Sequence, residues 1–248
     1  ILVLMSRSTS RYATNLPNLM KLGIFIFPSL ALLACVAHGQ TYVWKNTAGG
    51  SWDVAGNWDT NPSVPVFGPG VVVDFSTLNI TGSTKLLNLG STGKVVGKIK
   101  FGDTTPSHQW EIVAQNGPLK LETTAGQPEI EVKDWSSVIT VNVAGSQGFI
   151  KTGSNILRLN NTANAITGEI LVSAGTLQIR DGSTNNPAVF AGGTMGQRSL
   201  RITAPGSILD LFRVDASGTQ NITWSLPAIT LENGGVLRFR NNNAATYN

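Results

Sequence analysis

The side chains able to do chemistry in this sequence are few and scattered. Glu129 and Glu131 stand two apart with Asp134 close behind, and Asp210 and Asp215 bracket Arg213. Carboxylates grouped in this way can ligate Ca²⁺ or serve as acid and base in glycoside cleavage. The same two-residue spacing is what the outward face of a β-strand imposes, and no Asp/Gly-rich calcium loop surrounds Glu129. Both groups are therefore read as solvated polar faces. His108 is the one histidine after residue 39, in Pro106-Ser107-His108-Gln109-Trp110, and has no visible partner for general-base work, so it is read as a turn residue. Past residue 39 there is no cysteine and no Gly-x-Ser-x-Gly, Walker or His-Glu-x-x-His motif. Nucleophilic triads and the usual zinc sites lack their parts, so no catalytic residue, metal ligand or cofactor is assigned.

Three of the six tryptophans, Trp44, Trp52 and Trp58, crowd into a short span. Indole faces stack on the apolar faces of sugar rings, which makes these three weak candidates for glycan stacking. The competing reading is a cap, because the first coil of a stacked fold must close its open apolar end.

The elements that would position these residues begin after a leader. Leu22 to Val36 is almost wholly apolar, follows Lys21, and precedes Ala37-His38-Gly39, an export-signal layout with a cut between Gly39 and Gln40. Residues 20–39 are thus expected to be a signal peptide starting at Met20, with residues 1–19 an upstream or mis-started segment. Leu32-Leu33-Ala34-Cys35 also resembles a lipobox, which leaves lipidation of Cys35 as the alternative. No other apolar stretch approaches the roughly 20 residues of a membrane-spanning helix. The chain's net charge is +4, but Arg7, Arg11 and Lys21 lie before residue 40; the remainder carries 15 basic and 14 acidic residues without a Lys/Arg cluster. Nucleic acid is therefore not an expected partner.

From Leu86 onward, apolar and polar residues alternate in runs of four to seven closed by Gly, Asn, Pro or Ser. Lys98-Ile99-Lys100-Phe101, Leu119-Lys120-Leu121-Glu122, Glu129-Ile130-Glu131-Val132 and Ile139-Thr140-Val141-Asn142-Val143 read as strands with one buried face. Glycine followed by a leucine-led apolar-polar-apolar run recurs at Gly117, Gly153, Gly175, Gly206 and Gly235. Leu157, Leu177, Leu209 and Leu237 stand 20, 32 and 28 residues apart. Repeats of that size are coils of a solenoid, each burying its apolar face against the next. The fold expected is all-β, a right-handed parallel β-helix with a Trp-rich cap region over 40–84 and coils over 85–248; a β-sandwich is the alternative.

Residues 148–179, GFIKTGSNILRLNNTANAITGEILVSAGTLQI, resemble the autotransporter-associated β-strand repeat. Lys151, Gly153, Leu157, Leu159, Asn160, Asn164, Thr167, Gly168, Ala174, Gly175, Thr176 and Leu177 stand at that family's positions. Ser154-Asn155, Ile166 and Glu169 depart from its usual residues. The Trp-rich opening Tyr42-Val43-Trp44 to Gly56-Asn57-Trp58-Asp59 is similar to the segment that often opens such proteins. The resemblance implies a secreted or cell-surface β-solenoid of a Gram-negative-type bacterium, with repeats serving as a passenger stalk. It also implies a C-terminal barrel or sorting tail, so the chain ending at Asn248 is read as a fragment whose anchor lies in a missing C-terminal part. The expected function is structural or adhesive and non-enzymatic, with glycans, matrix or other cell surfaces as partners. The alternatives are a polysaccharide lyase or hydrolase, which needs aligned acids and bases on one outer face, and a carbohydrate-binding module.

Overall fold

The structure is a computed structural model that describes residues 39–113, 116–161, 164–180, 199–213 and 228–241. Residues 1–19, the expected signal apart from Gly39, Cys35 and Asp215 lie outside the described residues. The described residues belong to one compact unit.

The chain climbs in rungs. The first rung is β1 (Thr41–Val43) and β2 (Gly50–Ser51), followed by one 3-10 turn, Ala55–Asn57. The second is β3 (Val72–Phe75), β4 (Lys85–Asn88) and β5 (Lys94–Val96); the third is β6 (Lys98–Phe101), β7 (Trp110–Val113) and β8 (Leu119–Leu121). The fourth holds β9 (Glu129–Val132), β10 (Ser137–Ile139) and β11 (Val143–Gly145), and the fifth β12 (Phe149–Thr152), β13 (Ile156–Leu159) and β14 (Ala165–Ile166). Then come β15 (Ile170–Val172) with β16 (Thr176–Arg180), β17 (Leu200–Ile202) with β18 (Ile208–Arg213), and β19 (Ile229–Leu231) with β20 (Val236–Asn241).

Like strands stack in register. Among the described residues two eight-stranded sheets and one four-stranded sheet result, and all their pairings are parallel: β1-β3-β6-β9-β12-β15-β17-β19, β2-β4-β7-β10-β13-β16-β18-β20, and β14-β11-β8-β5. This is a parallel β-helix, as the repeat spacing predicts. Among the described residues there is no α-helix.

The period-2 pattern explains which faces are buried. Ile99 and Phe101 are wholly buried while Lys98 and Lys100, alternating with them, are half-buried on the outside; Leu119 and Leu121 flank an exposed Lys120. The four leucines of the sequence repeat form one inward ladder, Leu157 on Leu177 on Leu209 on Leu237. Burying one such side chain contributes about 2 kcal/mol, so each added rung stabilises the one beneath. Two expectations change in detail. Leu119-Lys120-Leu121 reads like the repeat strands but belongs to the third sheet, paired with β5 and β11. Ile139 to Val143, read as one strand, is two: β10 ends at Ile139 and β11 begins at Val143, with the corner between them. Alternation survives the corner because Ile139, Val141 and Val143 are all wholly buried.

At the first rung the strands are short, so side chains close the end. Trp44, Trp52 and Trp58 sit there with Phe67 and Phe75, and β1 and β3 pair in the same sheet as the later coils. At the eighth rung, Leu231 and Phe239 are the last described members of inward ladders and are 50% and 54% exposed.

Candidate functional site

The tryptophan triplet is interior. Trp44, Trp52 and Trp58 are each at most 1% exposed. Trp58 meets Trp44 edge-on at 4.9 Å and Trp52 at 5.6 Å between centroids, and Trp52 lies 5.3 Å from Phe67 and 5.5 Å from Phe75. Nε1 of Trp58 donates to the Trp52 carbonyl, and Nε1 of Trp44 to that of Asn46. A sugar needs an open indole face, and in this arrangement the faces are occupied by neighbouring rings. Of the tryptophans among the described residues, Trp135 alone is exposed, at 43%.

The acids on β9 are neutralised where they stand. Lys98 Nζ lies 2.9 Å from Glu129 and 3.2 Å from Glu131, and Thr152 Oγ1 donates to Glu129. Lys98 on β6 and Glu129 on β9 are register partners, so this is a cross-strand ion network on the outside of the first sheet. Asp134 is in the following turn with Lys133 at 4.0 Å. Among the described residues no three His, Cys, Asp or Glu side chains are grouped to hold a metal ion. His108 Nδ1 meets Ser107 Oγ at 2.7 Å. The adjacent Asp103 is spent on the turn, accepting from the backbone N–H groups of Ile80, Thr105, Ser107 and His108. Burial raises the Asp103 pKa, but those four bonds outweigh it and hold the carboxyl below its usual value. A carboxylate so saturated does not orient the imidazole.

Charge is instead concentrated on the outer face of the second sheet. One column of register partners runs Arg158, Gln178, Asp210, Arg238 across β13, β16, β18 and β20. Beside it runs Arg180, Phe212, Arg240. The guanidinium carbons of Arg180 and Arg240 each lie 4.8 Å from the Phe212 ring centroid, a cation–π pair on both sides of one ring. Asp210 is wholly buried and accepts from Arg238, Arg240 and Gln178 Nε2. Burial pushes its pKa up, but Arg240, Arg238 and Gln178 prevail and the carboxyl stays below its ordinary value. Arg158 Nη1 donates to Gln109 Oε1 and Ser136 Oγ, while its Nε has no partner. Gln178, 3% exposed, leaves Oε1 without a donor. The sequence reading missed this face because its members lie 20 to 32 residues apart. Of its residues only Asp210 had been singled out, with Arg213 and Asp215; Asp215 is outside the described residues and the described partners of Asp210 are others.

Lys151 is the other residue whose setting was not anticipated. It stands in the inward ladder Val73-Ile99-Ile130-Lys151-Val172-Ile202 and is wholly buried. Its stem replaces an aliphatic side chain, and its ammonium reaches the corner, donating to the carbonyls of Thr152 at 2.6 Å, Gly153 at 2.9 Å and Ala174 at 3.1 Å. That corner requires glycine at two places. Gly153 has φ +75° and Gly175 φ +64°; a Cβ at Gly153 would lie 2.2 Å from the Val132 carbonyl oxygen, and one at Gly175 2.5 Å from that of Gly153. Lys-x-Gly and Ala-Gly are thus two halves of one cage, contributed by successive rungs.

Residues 149–179, from β12 to near the end of β16, match the family model described as the passenger-associated-transport repeat. The chain carries a passenger repeat. Comparison with curated proteins and with solved structures gave no match. The passenger repeat covers the Lys151 cage and the first two members of the Arg158 column, so it supplies both a buried anchor and part of the charged face. Among the described residues no helix is long and apolar enough to cross a membrane.

Proposed function

We propose that this protein is a surface-exported, passenger-like β-solenoid with a structural and adhesive role and no catalytic activity. The observation that supports this most is the register itself. Eight rungs stack without a break in the first two sheets, and a repeat associated with passenger transport sits in the middle of them. Such a stack makes a long, stiff surface on which outward residues recur about every 4.8 Å. The cell address rests on the passenger repeat, and the partners proposed are glycans, matrix or other cell surfaces.

A second reading, cleavage of polysaccharide, draws on the alignment of arginines and Asp210 on neighbouring rungs. Chemistry favours the first. Asp210 is the one carboxylate in those two columns between β13 and β20; it is buried and held ionised by two guanidiniums, so it does not take up a proton near neutral pH. The test is attachment of glycan-coated beads to a surface bearing the chain, alongside an assay for new reducing or unsaturated ends. Retention without new ends is expected; chain cleavage would replace the adhesive reading with the enzymatic one.

A further inference from the structure

We infer that Trp135, in the corner between β9 and β10, is the platform of a binding site for a neutral glycan, a pyranose chain that stacks the apolar face of one sugar on the indole. The inference rests on the adhesive reading and gives it a site and a ligand class.

The first reason is that the fold leaves this indole unused. Trp44, Trp52, Trp58 and Trp110 are at most 1% exposed and pack on neighbouring rings. Trp135 is 43% exposed, and among the described residues it touches no other ring and its Nε1 donates to no acceptor. The corner that carries it is held by other groups. The Lys133 N–H donates to the Phe101 carbonyl, the Lys133 carbonyl accepts from Ser154 Oγ and Asn155 Nδ2, and Ser136 Oγ donates to Gln109 Oε1. A large aromatic with an apolar body and an unused donor at its edge is the side chain that anchors binding sites.

The second reason is that the surroundings select a sugar over a protein or a membrane. Lys133, Asp134 and Ser136 flank Trp135 in the chain, and Ser154 and Asn155 reach its corner from the next rung. On the rung before, His108 adjoins Gln109; its Nδ1 is turned to Ser107 Oγ, and its Nε2 has no hydrogen bond among the described residues. None of the other exposed large apolar side chains among the described residues belongs to this corner or to the corners on either side of it. A protein or membrane partner needs a contiguous apolar patch. A pyranose needs one ring for its C–H face and a rim of hydroxyl and amide groups for its own hydroxyls. The charges in the corner, Lys133 and Asp134, lie 4.0 Å apart and offset each other, so the complementary chain is neutral.

The third reason is room along the axis. The next three rungs turn at this corner through Gly153-Ser154-Asn155, Ser173-Ala174-Gly175 and Ala204-Pro205-Gly206, without a bulky side chain, and Ser154, Pro205 and Gly206 are exposed. Like corners stack about 4.8 Å apart, so a linear chain that begins on the indole continues over small residues.

The experiment measures binding of the full 248-residue chain to laminarin, cellohexaose, mannan and dextran, with polygalacturonate as the acidic comparison, at low and at high salt. At least one neutral chain is expected to bind, equally at both salt levels because no charge is neutralised. Trp135→Ala should weaken that binding about tenfold. Trp135→Phe should keep part of it, Trp135→Leu should be as weak as Ala because it lacks a stacking face, and Leu86→Ala on β4 should change nothing. Unfolding midpoints of all four variants should match the parent, since the bonds that hold the corner do not involve the indole. The inference is overturned if none of the neutral chains binds, if Trp135→Ala binds like the parent, if Trp135→Leu binds as well as Trp135→Phe, or if polygalacturonate binds more tightly than every neutral chain. Glycan-coated beads held equally by the parent and Trp135→Ala would remove this site and leave adhesion standing. Shortening of a bound neutral chain would keep the site and remove the non-enzymatic reading.

Discussion

Two regions of the solenoid bury a lysine, and they neutralise it by opposite means. At the tryptophan-closed end, Lys94 on β5 is 6% exposed, lies 5.7 Å over the Phe67 ring, and pairs at 2.8 Å with Asp53, an acid 37% exposed. In the middle of the stack Lys151 has only carbonyls around its ammonium. The end rung has a free side from which an acid can reach inward. A middle rung is covered above and below, so its cation must use the backbone of the corners it touches. The comparison teaches that the cap is a packing device with an electrostatic latch, while the repeat uses a polar anchor to lock one rung onto the next.

The largest effect should come from Trp58→Ala. Trp58 touches Tyr42, Trp44, Trp52, Phe67 and Phe75, and removing a buried aromatic of this kind costs about 3–5 kcal/mol. Denaturant unfolding should show the loss, with hydrogen exchange rising first in β1 to β5. Uniform exchange along the stack would mean that the cap is not a local device. Next comes Lys151→Met, which keeps the stem and deletes the ammonium, leaving three carbonyls short of a donor at about 2–3 kcal/mol. Its exchange should rise at the Gly153 and Gly175 corners. A variant as stable as the parent would break the comparison, since the cage would then contribute nothing.

Much of this fold was legible in the sequence. The leucine spacing gave the ladder from Leu157 to Leu237, and alternation gave the faces of β6, β8 and β9. The repeat marked Lys151 as a family position, yet a lysine is read outward by default because an unpaired buried cation is so costly. Only the corner carbonyls remove that objection, and they become visible once Gly153 and Gly175 have taken positive φ. Lys94 was hidden for the same reason, its Asp53 partner lying 41 residues away. The arginine face was illegible because masses of local spacing say nothing about which loops set the register between β16, β18 and β20.

The two lysines also separate by pH. Burial pushes the Lys151 ammonium from 10.5 down to about 7, with Glu131 pulling the other way. Between those values the unfolded chain binds the proton more tightly than the folded one, so stability rises with pH across that window and is lowest below it. The slope is bounded by about 1.4 kcal/mol per pH unit, and the three carbonyls, which favour the charged form, keep it smaller. Lys151→Met should flatten the rise. At the cap the sign is the same but the window is acidic. The hydrogen bond from Lys94, with those from Ser91, holds the Asp53 carboxyl below 3.8, so its contribution is complete above that value and lost as pH falls through the folded pKa. Parent-minus-variant unfolding curves from pH 3 to 9 check both limbs.

The smallest effect is expected at the latch itself. Asp53 is more than a third exposed and keeps two hydrogen bonds from Ser91 when its lysine is gone, so Lys94→Met should cost only about 0.5–1 kcal/mol. The methionine stem still fills the space beside Phe67, which is why packing does not add to the loss. A double-mutant cycle with Asp53→Asn isolates the pair, and its coupling should shrink in 1 M salt because one partner faces water. Lys151→Met should show no such salt dependence, its acceptors being uncharged and enclosed. Equal salt sensitivity at the two lysines would mean that the middle-rung cage is open to solvent, and the contrast between the two regions would fail.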